Sequence, residues 1–83
     1  MKLTRVQRGF LESLHALNTA GETPNVIRVM GATGDNLSWG QTLYGYKVCK
    51  QLVDRGLVGD LEPGRVHALR ITRDGLRAVK EAQ

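Results

Sequence analysis

Lys50-Gln51-Leu52-Val53-Asp54-Arg55-Gly56-Leu57-Val58 begins as the end of a helix and leaves as a strand, and the fold turns on how it is read. Gly56 is the stop, because glycine takes the left-handed conformation that closes a helix without a Cβ penalty. Beyond it the apolar residues come in two short extended runs, 57–61 and 66–71, joined by Glu62-Pro63-Gly64-Arg65, and proline followed by glycine suits a tight turn. That pattern predicts a hairpin. Thr72 then offers an N-cap for a last short helix over 73–81, with Leu76 and Val79 as its apolar contacts.

Working back from Gly56, Ser38-Trp39-Gly40-Gln41 has the spacing of a capping box, and the chain from there to Arg55 is expected to form the longest helix, with Thr42 as an alternative start. At 100° per residue Gln41, Gly45, Val48, Cys49 and Leu52 share one face, with Val53 on its flank. Leu43, Lys47, Lys50 and Asp54 share the opposite face, with Tyr46 and Gln51 beside them. Gly45 on the inner face would let another helix come close. Upstream, 31–36 is a loop rich in turn residues, and Thr23-Pro24 reads as an N-cap with proline at the first helical position. The short helix so predicted, 24–30, would bury Val26 or Ile27 with Met30. Thr4-Arg5-Val6-Gln7 is another capping box, opening a helix over 4–18 whose stripe is Leu3, Val6, Phe10, Leu14 and Leu17.

Eighty-three residues make a single domain (1–83) the expectation, too small to enclose a deep substrate cavity and keep a core behind it. Twelve Lys and Arg against eight Asp and Glu leave a net charge of +4, which suits a polyanionic partner, nucleic acid first. No run of eighteen apolar residues and no signal-peptide pattern is present, so no membrane role and a cytoplasmic location are expected. Cys49, the one cysteine, has no internal disulfide partner, and it shows no metal-ligand spacing with His15 or His67. No nucleophile with a base, and no carboxylate pair, stands out; neither an enzyme nor a cofactor is expected. Val26 to Gly34 has the look of a strand leading into the GATG turn of a dinucleotide site, but Leu37 holds the third glycine position and the chain is too short for that fold.

The stretch from Lys50 to Val58, followed by Leu69-Arg70-Ile71-Thr72-Arg73-Asp74-Gly75, resembles the end of the recognition helix, the wing and the LTxxG helix start of the MarR and PadR winged-helix families. Leu52 would match the leucine anchoring that helix, Gly56 its stop, and Thr72 and Gly75 the opening of the next helix. Gln41-Thr42-Leu43-Tyr44 is similar to the GTLY of PadR recognition helices. The fold implied is α+β and mainly α: a winged helix of three core helices, a β-hairpin wing and a short C-terminal helix. The function implied is sequence-specific binding of double-stranded DNA in transcription regulation, through a helix at about 39–55 and a wing at 57–71. Candidate contacts are Thr42, Leu43, Tyr46, Lys47, Lys50 and Gln51 on the helix and Arg65, His67 and Arg70 on the wing. Arg73, Arg77 and Lys80 form a further basic stripe, read as a solvated face. A homodimer joined around Leu11 and Leu76 would double the contacts. The alternative is a winged helix that docks on proteins without DNA, which would show exposed apolar side chains on the same helix.

Overall fold

A computed structural model of the chain describes residues 2–33 and 42–82. The described residues form a small, mainly helical α+β structure: α1 (Arg5–Thr19), α2 (Val26–Ala32), α3 (Thr42–Asp54), β1 (Val58–Asp60), β2 (Leu69–Ile71) and α4 (Arg73–Ala82). The strands pair antiparallel, with Val58 opposite Ile71, Gly59 opposite Arg70 and Asp60 opposite Leu69.

α1 begins as its capping box requires. The Gln7 amide donates to Thr4 Oγ1 at 3.1 Å, and the Thr4 amide donates to Gln7 Oε1 at 3.0 Å. Phe10, Leu14 and Leu17 of the predicted stripe are buried, joined by Leu11, while Leu3 and Val6 pack at its edge. α1 is the central support, lying against α2, α3, α4 and β2. At its end the Gly21 amide donates to the Asn18 carbonyl and the Glu22 amide to that of Leu17, with Gly21 at a φ of 91°. α3 closes in the same way: the amide of Gly56 donates to the Val53 carbonyl and that of Leu57 to the Leu52 carbonyl, with Leu52 and Leu57 both buried in the core. Both ends are Schellman motifs.

α2 differs from expectation. It starts two residues later than Thr23-Pro24 predicts, because Asn25 takes the cap and accepts from the Arg28 amide at 2.8 Å. Pro24 is buried ahead of the helix, and its carbonyl accepts from the Leu69 amide at 2.9 Å. Val26 and Val29 are the buried pair, Met30 packs against the core, and Ile27 is 58% exposed. The helix also runs through Gly31 and Ala32, which were expected in a loop, so the segment before the GATG stretch is helix and not strand.

The expected long helix also differs in part. Its capping box at Ser38–Gln41 lies outside the described residues, and α3 as described spans 13 residues against 15 in α1. The face assignment holds: Val48, Cys49 and Leu52 are buried, and Gly45 faces α2, where a Cβ would run into the side chain of Met30. Both strands are shorter than 57–61 and 66–71. Leu57 returns its amide to α3, and Val66 sits at a φ of 51°, a left-handed conformation that a strand cannot contain. No helix among the described residues is long and apolar enough to cross a membrane.

Candidate functional site

On the outer face of α3, apolar and cationic side chains meet solvent together. Leu43 is 74% exposed, and Lys47 and Lys50 are exposed on the same sector, with Asp54 below them. Neither lysine has an ion-pair partner among the described residues. Behind this face the helix is fastened through its buried inner residues Val48, Cys49 and Leu52 and the Schellman closure at Gly56.

The flanks of α3 differ from one another. Tyr46 is half-buried against the core, so only part of it faces outward. Gln51 is exposed, but its Oε1 accepts from Gln7 Nε2 at 3.4 Å, which draws it toward α1 and away from the lysines. Arg55 joins the same group, its Nη1 donating to Gln7 Oε1 at 3.4 Å. Gln7 is therefore both a cap and a tie between α1 and α3, and it is buried at the core. Thr42 opens α3. Tyr44, which pattern reasoning left off the candidate residues, is 42% exposed beside Leu43.

The hairpin is held by one carboxylate. Asp60 Oδ1 accepts from the Glu62 amide at 3.1 Å, and Oδ2 accepts from the amides of Gly64 and Val66 at 3.0 and 3.2 Å. The turn itself closes with the Arg65 amide donating to the Glu62 carbonyl, and Gly64 takes the positive φ that the Pro-Gly pair predicts. Arg65 is exposed at the tip and Arg70 is exposed on β2, between buried Leu69 and Ile71. His67 is exposed as well, but its Nδ1 lies 3.4 Å from Glu62 Oε2, within the hairpin. Asp60 escaped the sequence reading, although an aspartate just ahead of Glu-Pro-Gly is a recognised signal for a side chain that gathers turn amides.

The outer edge of β2 is closed by α1. The Ile71 amide donates to Asn18 Oδ1 at 2.8 Å, and Asn18 Nδ2 donates to the carbonyls of Leu69 and Glu22. With the Pro24 carbonyl on the Leu69 amide, β2 has partners along both edges, which fixes the hairpin relative to the helices. Asn18, at the end of the helix expected over 4–18, thus ties α1 to the hairpin.

Cys49 does not offer chemistry. It is fully buried, and burial first, then the Asp60 carboxylate, push its thiol up to about 12, so it stays protonated. No group of three or more His, Cys, Asp or Glu that could hold a metal ion occurs among the described residues. No known protein family, curated protein or solved structure matches the chain.

Proposed function

We propose that the chain is a winged helix that binds double-stranded DNA with sequence preference and acts in transcription regulation, α3 lying in the major groove and the hairpin serving as the wing. The observation that carries this reading is the outer face of α3, where Leu43, Lys47 and Lys50 stand exposed on one sector of a helix whose other side is locked into the core. Lysines so placed reach guanine edges or phosphates, and an exposed apolar side chain a turn before them meets thymine methyls. The hairpin supports it: Asp60 holds the turn that presents Arg65, and Arg70 points outward from β2. In this reading the protein is not an enzyme, uses no cofactor and works in the cytoplasm.

The test compares Lys47→Ala with Arg65→Ala on a duplex selected from a random pool and on a scrambled one. Lys47→Ala should cost roughly 1–3 kcal/mol on the selected duplex and less on the scrambled one. Arg65→Ala should weaken both evenly and flatten the salt dependence by about one phosphate contact. Equal losses for Lys47→Ala on both would reduce α3 to a backbone contact.

A protein-docking winged helix is the second reading, favoured by Leu43 and Tyr44 being exposed side by side. It prevails if the parent protein has no affinity for any duplex.

A further inference from the structure

We infer that α4 carries a second nucleic-acid contact, blind to sequence, in which Arg73, Arg77 and Lys80 hold backbone phosphates. The inference rests on the DNA-binding reading above. The three residues fall at i, i+4 and i+7, a single line on the helix about 10 Å long at 1.5 Å per residue. All three are exposed, and none has an ion-pair partner among the described residues. They border an open groove of about 400 Å³ together with Leu76 and Glu81. Cations left unpaired beside a groove are placed for an anion from outside.

The stripe is also held still. Gly75, Ala78 and Val79 are buried on the opposite side of α4. The start of the helix is pinned by Thr72, whose hydroxyl accepts from the Gly75 amide at 3.0 Å and donates to the Gly56 carbonyl at 2.7 Å. α1 packs against both α3 and α4. A phosphate backbone fits the stripe better than an acidic protein surface does. Protein interfaces centre on apolar side chains, and none of the exposed large apolar side chains among the described residues, Ile27, Leu43, Tyr44 and Leu61, lies on α4. Asp74 and Glu81, on one flank of the stripe, repel a polyanion from that side and limit the contact to a narrow line.

The experiment titrates the parent and the triple variant Arg73→Gln/Arg77→Gln/Lys80→Gln on the selected and scrambled duplexes from about 50 to about 200 mM salt. Loss of three phosphate contacts should make the variant's fall in affinity across that range about 40-fold smaller than the parent's, with similar losses on both duplexes. The pair variant Arg73→Lys/Arg77→Lys, which keeps the charge, should retain the parent's salt dependence. If the triple variant melts early, Lys80→Gln alone carries the test, with a slope reduced by about 0.9. A parent that binds while the triple variant matches it in affinity and slope overturns the inference and leaves the stripe to an acidic protein or to solvent. A loss confined to the selected duplex overturns it as well, since the stripe would then read sequence. A parent with no duplex affinity instead defeats the DNA-binding reading itself.

Discussion

The backbone carbonyl of Leu57 accepts from the Thr72 amide at 3.1 Å, and the same oxygen lies where a Cβ on Gly75 would have to go. Ile71 Cγ1, 2.7 Å from that Cβ position, closes the space further. The glycine three residues after the capping threonine is thus required by a close approach of backbone to helix. Alanine is favoured in a helix by about 1 kcal/mol, but overpacking against a fixed carbonyl costs about 1–3 kcal/mol and sometimes more, so Gly75→Ala should destabilise. Gly45→Ala should cost less, because the obstacle there is the Met30 side chain, which can swing aside. Thermal midpoints in the reverse order would contradict this account. Cys49 supplies a second prediction at this scale. Its thiol is raised from an ordinary 9.0 to about 12, so above pH 9 the unfolded chain gains by releasing a proton that the folded chain keeps. The stability this residue contributes is therefore complete below pH 9 and lost between pH 9 and about 12. In urea titrations, the stability advantage of the parent over Cys49→Ala should shrink between about pH 8 and about pH 10.5. An advantage that stays constant would mean the thiol is not shielded.

Among the elements, the hairpin is the one whose form depends most on a single side chain. Asp60 gathers the amides of Glu62, Gly64 and Val66, and Val66 is kept at its φ of 51°, a strained choice for a β-branched residue. Removing the carboxylate frees three amides and removes what offsets that strain. Asp60→Ala should cost about 1–3 kcal/mol, raise amide exchange at Glu62, Gly64 and Val66 and, on the proposed DNA-binding reading, weaken duplex binding through a looser Arg65. Unchanged exchange at those amides would show that the turn holds without Asp60. Alternation of apolar residues from Val66 to Ile71 looks like a longer strand than the one formed. The strand begins only at Leu69 because the Val66 amide belongs to Asp60.

In the molecule as a whole, α1 is covered on several sides by other elements, and this bears on assembly. Leu11, expected on a dimer surface with Leu76, is fully buried, and Leu76 packs at the core's edge. Leu11 cannot join two chains, because α4 lies against α1 and Leu11 belongs to the shared core. The homodimer remains a proposal on other grounds: one helix covers few base pairs, and two-fold binding is the common way to useful affinity. Sedimentation should find two chains on a selected duplex that carries two half-sites. A single chain on one unrepeated half-site would remove the dimer.

By itself the sequence determined the kinds of element and most of their ends, because these rest on signals local to the chain. Thr4 with Gln7, Gly56 after Leu52, Pro63-Gly64 and Thr72 with Gly75 each act within a few residues. The 3.6-residue period likewise placed Lys47 and Lys50 on the side of α3 away from Leu52. The start of α2, the length of β2, the burial of Leu11 and the turning of Gln51 were decided only by the tertiary structure. Each depends on a partner distant in sequence or on competition for a hydrogen bond. The Pro24 carbonyl serves the Leu69 amide, so Asn25 and not Thr23 caps α2, and Asn18 reaches 53 residues along the chain to close the edge of β2. A buried backbone group must find a partner wherever the fold brings one, and no local pattern records which partner that is.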